Sequence, residues 1–324
     1  MPARLAVVIP IYDEADTLPE LFNRLRRLLD SLIDVDGTVI YVNDGSRDSS
    51  LSIMLAQRAE DPRFTVLELS RNFGHQAALT AGLAAAEGHD AVVMMDGDLQ
   101  DPPELIADLV ASWQAGAEVV QAVRQGRDER GIRKIGYWLF YWLLDWVSDF
   151  PLPAHTGIFG LLNAQALREL NRLPENNRFL PGLRAWIGFE QRTIHYQRPD
   201  RAMGKPKQDF FRLVRYAIDG FVSFSYKPLR LMIAIGCLIS CCGFLLALGF
   251  VLRRLLGFEI AQIGFTTLVT LVLFLGGVQL VAIGLLGEYL GRVYDEVKQR
   301  PLYIIRRRYE HSTIATPDIL EESR

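Results

Sequence analysis

The sequence predicts an α/β fold with a mainly parallel sheet, followed by a hairpin of two apolar helices. Short β-rich runs alternate with helix-like segments through residue 124, and this alternation is typical of a parallel sheet that helices cover on both faces. Residues 231–252 and residues 260–287 contain no charged side chain. Each of these two segments exceeds the roughly 20 apolar residues that cross a bilayer as a helix.

The alternating part contains five predicted strands, which cover residues 4–12, 38–44, 64–70, 90–98 and 117–124. Helical spacing of apolar residues predicts helices over 16–34, 75–88 and 102–116. A further helix follows the second strand, where Ser46 and Asp48 can cap it. Sheets of this kind bind ligands beyond the carboxyl ends of their strands, so the polar residues at those ends are candidates for a site.

Polar residues do cluster at the predicted strand ends. They are Tyr12, Asp13 and Glu14; Asn43, Asp44, Gly45 and Ser46; Arg71 and Asn72; Asp96, Gly97 and Asp98; and Arg124. The agreement between several strand ends indicates a functional site more strongly than any one of these motifs does.

The triplet Asp96-Gly97-Asp98 places two carboxylates beside each other after an apolar run. Alternate side chains of a strand point to the same side, so we expect the two carboxylates to converge, with room left by the glycine. They repel each other unless a cation or protons intervene, and oxygen ligands favour Mg²⁺ or Mn²⁺. Taken alone, such a triplet is more often a solvated turn with helix-capping aspartates.

The wider context favours a nucleotide site. Asp44 ends a different strand, and an acid at such a position typically binds ribose hydroxyls or a base edge. No G-x-G-x-x-G motif follows the first strand and no G-x-x-x-x-G-K-[ST] motif occurs, which disfavours a dinucleotide fold and a P-loop. The remaining interpretation is a nucleotide that carboxylates and a metal hold.

The flanks of the two apolar segments predict their orientation. Residues 201–230 hold seven Lys or Arg and two acids, and residues 288–308 hold six and three. An excess of basic residues at both outer ends indicates that both are cytoplasmic. A buried core helix is the alternative for each segment, but two such runs in succession disfavour it. The first apolar run of the chain leads into acids and reads as a strand rather than a signal peptide.

Residues 135–150 are crowded with Trp, Tyr and Phe, and they follow a stretch with five basic residues over 124–134. This segment is too short and too aromatic for a span, so it is interpreted as a helix at the membrane interface. A core helix or a dimer contact remains the alternative. Residues 309–324 form a polar tail without a predicted role, and the three cysteines, all in the first apolar segment, indicate neither a disulfide nor a metal cluster.

Four segments carry a family resemblance: "VVIPIYDE", "VNDGSRDSS", "SRNFGHQAALTAGL" and "MDGDLQDPPE". Together they resemble the family 2 glycosyltransferases with the GT-A fold, which take a nucleotide-diphospho-sugar as donor. "RAMGKPKQDFFRLVRYAIDGFVSFSYKPLR" and "FLGGVQLVAIGLLGEYLGRVYDEVKQRPLYII" are similar to the membrane-bound polyprenyl-phosphate glycosyltransferases, relatives of dolichyl-phosphate mannose synthase. The resemblance covers nearly the whole chain.

The resemblance implies roles for individual residues. Asp98, Arg124 and Arg201 are implied as catalytic. Donor binding is implied for Pro10, Tyr12, Glu14, Asp44, Asp96, Gln100, Arg133 and Lys207, with Tyr12, Glu14 and Asp44 at the nucleoside. Asp96, Asp98 and Gln100 are implied as ligands of Mg²⁺ or Mn²⁺. For Arg133 a solvated face or a lipid-headgroup contact is the alternative.

Two departures from the family pattern stand out. Relatives usually show an acid or hydroxyl at the position of Ile158 and an arginine at the position of Gly160. These replacements put in doubt a catalytic base at 158 and an acceptor contact at 160. Pro206 also replaces a hydroxyl residue in the pattern that begins at Arg201.

The resemblance implies an inverting transfer of a sugar, with a UDP-sugar as the favoured donor, to a polyprenyl phosphate such as undecaprenyl phosphate. It implies a GT-A domain over 1–228, two transmembrane helices within 229–290 (229–252 and 262–287), and a cytoplasmic C-terminal segment over 291–324. The protein is expected in the inner (plasma) membrane as a multi-pass protein with a cytoplasmic catalytic domain. Expected partners are other copies of the chain, up to a tetramer, a flippase and a downstream glycosyltransferase.

Two alternatives remain. One is a non-catalytic membrane assembly subunit with a degenerate GT-A domain, which only the altered stretch at 158–160 supports. The other is a processive polysaccharide synthase. It is disfavoured because its Q-x-x-R-W motif would need a tryptophan where this chain has Gln125.

Overall fold

The computed structural model describes residues 2–124, 156–176, 178–196, 227–256 and 264–310. The chain divides into two compact units. The sheet unit takes in residues 1–129, 153–206 and 301–324, and the helical unit takes in 130–152 and 207–300. The predicted aromatic helix over 135–150, the residues Arg133, Arg201 and Lys207, and the tail beyond 310 lie outside the described residues.

Eight strands of the described chain form one sheet in the order β7-β5-β6-β4-β1-β2-β3-β8. They are β1 (Ala3–Ile11), β2 (Val35–Asn43), β3 (Phe64–Leu69), β4 (Ala91–Met94), β5 (Val119–Arg124), β6 (Thr156–Asn163), β7 (Gln191–Tyr196) and β8 (Ile305–Tyr309). β6 pairs antiparallel with β4 and β5, and β8 pairs antiparallel with β3, whereas the other neighbouring pairs are parallel. The predicted mainly parallel sheet is confirmed.

Six helices of the described chain belong to the sheet unit. They are α1 (Leu18–Ser31), α2 (Ser50–Glu60), α3 (His75–Ala85), α4 (Ile106–Gln114), which a 3-10 turn over Pro103–Leu105 precedes, α5 (Ala164–Arg172) and α6 (Leu180–Trp186). In α1 the buried residues Leu18, Leu21, Leu25 and Leu28 recur every three or four positions, which places them on one helix face. Burial of each such leucine contributes roughly 1.5–3 kcal/mol.

The core lies along the central strand β1. Its residues from Leu5 to Ile9 are fully buried on both faces of the sheet, as expected for a strand with helices above and below it. Residues Leu5, Val7 and Ile9 share a core with α1 and with Phe64 at the start of β3. This burial holds the carboxyl end of β1 beside those of β2 and β4, where the predicted site lies.

Two boundaries differ from the predictions. β4 ends at Met94, whereas the predicted strand runs to Asp98, so the two aspartates of the triplet lie in a loop. The polar C-terminal segment includes β8, which no sequence signal indicated, and this strand closes the edge of the sheet at β3. The sheet unit therefore uses residues from both sides of the apolar segments.

The helical unit contains α7 (Lys227–Leu255) and α8 (Phe265–Val297), of 29 and 33 residues. Many of their large apolar side chains are exposed, including those of Leu238, Phe244, Leu271 and Leu280. Within α8, Phe274–Val297 is long and apolar enough to cross a membrane, whereas the comparable stretch of α7, Met232–Leu245, is shorter. Among the described residues, one helix is thus long and apolar enough to cross a membrane, and the two-span hairpin stays a prediction.

Candidate active site

The loop after β1 is fastened to the loop after β2. The Asp13 backbone N–H donates to Ser46 Oγ at 3.2 Å, and Asp13 Oδ1 accepts from the Arg47 backbone N–H at 2.7 Å. The Glu14 backbone N–H donates to Ser50 Oγ at 3.0 Å. Asp13 itself has a φ of 53°, a left-handed conformation that non-glycine residues adopt mainly where surrounding contacts hold them. These bonds fix the direction in which Glu14 leaves the strand.

Asp44 is buried and holds the loop after β3. Its two carboxylate oxygens accept hydrogen bonds from the backbone N–H groups of Phe73 (2.7 Å) and Gly74 (2.9 Å). Burial raises the pKa of the Asp44 carboxyl, while those two hydrogen bonds act in the opposite direction. The acid that the resemblance assigns to the nucleoside therefore shapes the wall of the site through its backbone contacts.

Gly45, the residue after Asp44, allows the loop after β3 to approach the loop after β2 closely. Its φ is +69°, and a Cβ at this position would lie 2.6 Å from the backbone of Arg71 and Asn72, so only glycine fits. The same loop leads into His75, whose Nε2 lies 2.8 Å from Oδ1 of Asp96. No role was predicted for His75 from the sequence. Its position at the start of a helix, directly after a polar strand end, could have indicated one.

The loop that carries the triplet packs against the end of β1. A Cβ on Gly97 would lie 2.5 Å from Cδ1 of Ile11, so the glycine is needed for contact with the strand rather than for space between the two carboxylates. Asp98 Oδ1 accepts a hydrogen bond from the Gln100 backbone N–H at 3.0 Å, across Leu99 with a φ of 56°. Both aspartates follow the end of β4 at Met94, so they lie in a loop rather than at alternate positions of a strand.

Glu14 completes an acidic group with these aspartates. Burial raises the pKa of the Glu14 carboxyl, the charges of Asp98, Asp48 and Asp96 raise it further, and a hydrogen bond from Thr17 opposes the change. The Thr17 hydroxyl lies 3.2 Å from Glu14 Oε2. Burial and the neighbouring aspartates thus disfavour a negative charge on Glu14, and a cation placed among these carboxylates would favour it.

The donor chemistry of this group fits a divalent cation. Among the described residues no three His, Cys, Asp or Glu side chains are arranged as a ready-made ligand set. Mg²⁺, however, is usually held by one or two carboxylates together with waters and substrate phosphates. Asp96 and Asp98 meet that requirement, with Oδ1 of Asp96 already in contact with His75.

The other predicted residues lie at various places along the chain. Pro10 is in β1 opposite Val42, and Tyr12, which follows the strand, exposes 40% of its surface. Arg124 is the last residue of β5, where its backbone pairs with that of Tyr196. The structure thus gathers residues from the ends of β1, β2 and β4 and from the start of α3, and Arg124 ends a strand farther along the sheet.

Asp101 has a role that the sequence did not indicate. Its carboxylate, 2% exposed, accepts a hydrogen bond from the phenol of Tyr196. The bond joins the loop after β4 to the end of β7, 95 residues farther along the chain. It therefore fastens the loop that carries Asp96 and Asp98 to β7, in addition to the contact of Asp96 with His75.

The chain is similar to known proteins over most of its length. The family model for glycosyl transferase family 2 matches residues 6–166. The glycosyltransferase YkcC of Bacillus subtilis (strain 168) is 40% identical over 306 residues, which are 94% of this chain and 94% of that protein. The SfII prophage-derived bactoprenol glucosyl transferase of Shigella flexneri is 38% identical over 306 residues, 94% of this chain and 98% of that protein.

Among solved structures, the mannosyltransferase PcManGT from Pyrobaculum calidifontis, in complex with GDP-Man and Mn²⁺, shows 18% identity and a TM-score of 0.45 over 90% of this chain and 88% of that chain. The family assignment depends on the two sequence relatives, which are 40% and 38% identical over 94% of this chain. The chain belongs to glycosyltransferase family 2, and its mainly parallel sheet is that of a GT-A glycosyltransferase.

Proposed function

We propose that this chain transfers a sugar from a nucleotide-diphosphate sugar, a UDP-sugar in the first instance, to a polyprenyl phosphate in the membrane, with inversion at the anomeric carbon. The observation that carries the proposal is the acidic group of Glu14, Asp96 and Asp98 at the carboxyl edge of the sheet. Full-length relatives that are named bactoprenol glucosyl transferase support a polyprenyl acceptor.

On the donor side, the nucleoside would lie over the ends of β1 and β2. Tyr12 is exposed there and offers an aromatic face, and the carboxylate of Glu14 offers a hydrogen-bond acceptor. Pro10 would lie beneath the nucleoside, within β1. Asp44 would act through the loop it holds, because both of its oxygens already accept backbone hydrogen bonds.

The diphosphate would lie beside the triplet loop. Asp96 and Asp98, with Gln100 next to them, are the residues that would hold Mg²⁺ or Mn²⁺. Such an ion, when bound, neutralises charge on the departing diphosphate. The protein's own contribution is to orient these groups before the donor arrives, through the His75 contact to Asp96 and the backbone hydrogen bond to Asp98.

The acceptor would use its phosphate oxygen as the nucleophile, on the face of the sugar opposite the leaving diphosphate. A phosphate monoester has its second pKa near 6, so it is largely ionised at neutral pH and needs positioning more than a base. The presence of Ile158 where relatives have an acid or hydroxyl is compatible with this chemistry. Arg124, Arg133, Arg201 and Lys207 are proposed to bind the donor diphosphate and the acceptor phosphate, since guanidinium and ammonium groups pair with phosphate oxygens.

Chain connectivity supports a two-span hairpin. α8 ends at Val297 and β8 begins at Ile305 in the sheet unit. The eight Cα–Cα steps from Val297 to Ile305 reach at most about 29 Å when fully extended, which does not exceed the roughly 30 Å of a bilayer core. The end of α8 and the sheet unit would therefore lie on the same side of the membrane.

The start of α7 would lie on that side too. Residues 201–230, which precede and enter this helix, hold seven basic side chains, too many for a crossing segment. The chain leaves the sheet unit before α7 and returns to it after α8. A crossing by α8 therefore requires a second crossing in the opposite direction, which α7 would make. We accordingly propose a multi-pass protein of the inner (plasma) membrane with 1–228 as the catalytic domain on the cytoplasmic side.

The product would be a polyprenyl-phosphate sugar at the cytoplasmic face. A polar sugar head does not cross a bilayer unaided, so use of this product for envelope glycans or lipids on the far face would require a flippase and a second transferase. Self-association of the chain, up to a tetramer, stays a proposal of the same kind.

The test is a transfer assay with the full chain in membranes, a panel of labelled nucleotide sugars, polyprenyl phosphate and Mg²⁺ or Mn²⁺. We expect one sugar per lipid from one preferred donor, and loss of product in the Asp98→Asn variant. A growing polymer would indicate a processive synthase instead. Absence of transfer from every donor, with the chain folded, would leave a non-catalytic assembly subunit as the better description.

A further inference from the structure

Arg184 in α6 is a buried cation that contacts the backbone at the site end of β6. The residue is 1% exposed. Its Nη1 donates to the Ile158 carbonyl at 3.2 Å, and its Nη2 donates to the Gly157 carbonyl at 3.0 Å. Nε has no hydrogen-bond partner, and among the described residues no carboxylate forms an ion pair with this guanidinium.

The two carbonyls lie near the acidic group. In the antiparallel pairing of β6 with β4, Gly160 is opposite Met94, the last residue of β4. After Met94 the chain passes into the loop that carries Asp96. Gly157 and Ile158 precede Gly160 in β6, so they lie beside this loop. Arg184 thus holds the strand that faces the triplet loop.

The guanidinium also fills the space beside Gly160. A Cβ at Gly160 would lie 2.9 Å from Nη1 of Arg184 and 2.6 Å from the Val120 carbonyl oxygen. A side chain at 160 and the present position of Arg184 are therefore mutually exclusive.

α6 is fastened to the site at its other end as well. The Leu180 backbone N–H donates to Oε1 of Gln76 at 3.2 Å, and Gln76 follows His75 in the first turn of α3. The Arg184 carbonyl accepts from Nε2 of Gln191 in β7 at 3.2 Å. The helix therefore connects the start of α3, which touches Asp96, with the strand residues Gly157 and Ile158.

Packing alone does not account for this charge. Burial lowers the pKa of Arg184 to about 10, so the side chain remains charged at neutral pH. A protein is often at least as stable when an apolar residue of similar volume replaces a buried charged group. Burial of a cation without a partner charge costs free energy. Two carbonyl oxygens compensate for part of its lost hydration, and an anion near the site would compensate for more.

We propose that Arg184 is a positioning residue for the anionic acceptor: it fixes the Gly157 and Ile158 carbonyls and supplies a permanent positive charge behind β6, the strand that faces the triplet loop. This inference rests on the proposed function, because the anion in question is the phosphate of the polyprenyl acceptor. Arg184 is buried and does not touch the substrate, so its effect is expected on acceptor binding and not on donor binding.

The experiment compares Arg184→Met, Arg184→Gln and Arg184→Lys with a matched control, Arg172→Met. Arg172 is an exposed arginine whose ion-pair partner is Glu169. Transfer kinetics give the acceptor KM and kcat, calorimetry with UDP gives the nucleotide Kd, and thermal unfolding shows which variants are folded. We expect the acceptor KM of Arg184→Met and Arg184→Gln to rise about tenfold, with the nucleotide Kd within about twofold. Arg184→Lys should fall between wild type and the neutral variants, because lysine keeps the charge but cannot hold both carbonyls as the guanidinium does.

The result that overturns the inference is an unchanged acceptor KM in the folded neutral variants, with only thermal stability reduced, since that is a packing role. If Arg184→Met does not fold, Arg184→Gln and Arg184→Lys decide the matter, because they differ in charge and both retain donors. Failure of the proposed function looks different: the wild-type chain itself would then transfer no sugar to polyprenyl phosphate.

Discussion

The imidazole of His75 and the carboxylate of Asp96 are in contact, with 2.8 Å between Nε2 and Oδ1. His75 is the first residue of α3, which follows β3, and Asp96 lies in the loop after β4. In the sheet, β1 and β2 lie between β3 and β4. Asp44 holds the loop before His75, so the ends of β2 and β4 are joined through a single imidazole. The orientation of the first acid of the triplet thus depends on a residue outside it.

Replacement of His75 is expected to weaken metal and donor binding. In His75→Ala the Asp96 carboxylate loses the partner that fixes its rotamer, and loss of such outer contacts typically lowers metal affinity about 10- to 100-fold. Titration of Mn²⁺ by electron paramagnetic resonance, without sugar donor, measures this directly. His75→Gln retains a hydrogen-bond donor and is expected to recover most of the affinity. Equal Mn²⁺ affinity in wild type and His75→Ala would contradict the assigned role.

The Asp98→Asn substitution is expected to reduce transfer by about a hundredfold or more, as is typical when one group that stabilises transition-state charge is removed. The fold should survive, because the turn bond from Gln100 has an amide oxygen as an alternative acceptor. Initial rates at saturating donor and metal measure the effect. Asp34→Asn, at an exposed position far along the chain from the triplet, is the matched control and should keep full activity.

The sheet and the position of acids at the ends of its strands could be predicted from the sequence, because both follow from local patterns. The run from Leu5 to Ile9 is apolar at every position, and only a strand covered on both faces buries such a run. β8 could not be predicted in this way, since the arginine-rich stretch Ile305–Tyr309 has no alternating pattern and pairs with residues about 240 positions away. The same limit applies to Arg184 and to His75, whose roles depend on contacts between elements.

The early end of β4 has a physical cause that the pattern did not contain. Residues 90–98 read as one run, but Gly97 must lie against Ile11 and Leu99 must adopt a left-handed conformation for the turn at Asp98. Pairing with β6 ends at Met94, and one more backbone hydrogen bond, from the Met95 N–H to the Val8 carbonyl, joins the loop to β1. Asp96 and Asp98 therefore lie in a loop, where the charges of both act on Glu14, and the strand geometry from which their convergence was predicted does not apply to them.

The Glu14→Gln variant is expected to be slightly more heat-stable than wild type at neutral pH without metal, with reduced transfer activity. Burial and the charges of Asp98, Asp48 and Asp96 raise the pKa of Glu14. A carboxyl whose pKa is higher in the folded chain stabilises below its ordinary pKa, and this contribution is lost as pH rises through the raised value. Glutamine does not titrate, so the variant avoids that loss.

Melting curves with chelator between about pH 4 and pH 8 measure the effect. The difference in melting temperature should grow with pH to the order of 1 °C, and added Mn²⁺ should reverse it by stabilising wild type. A difference that is constant across this pH range would mean that Glu14 does not feel the neighbouring carboxylates.

Loss of the Glu68 carboxylate is expected to release β8 from the sheet edge. Glu68 is largely buried, with Oε1 3.2 Å from Nη1 of Arg306 and Oε2 3.0 Å from the hydroxyl of Tyr309. In Glu68→Ala both partners on β8 lose their acceptor, which costs about 1–3 kcal/mol. Hydrogen exchange of the amides in Ile305–Tyr309 should become correspondingly faster, while the amides of β1 stay protected.

Glu60→Ala is the control for this change, because Glu60 is an exposed acid paired with Arg26 at 2.6 Å and such pairs contribute little. The Arg58 side chain also donates to the Tyr309 carbonyl at 2.8 Å, so the strand should loosen without leaving the sheet entirely. Since β8 is the segment that returns the chain from α8 to the sheet unit, its release should lower transfer to the lipid acceptor more than it lowers nucleotide binding. Equal losses in both would show that β8 supports the sheet unit only.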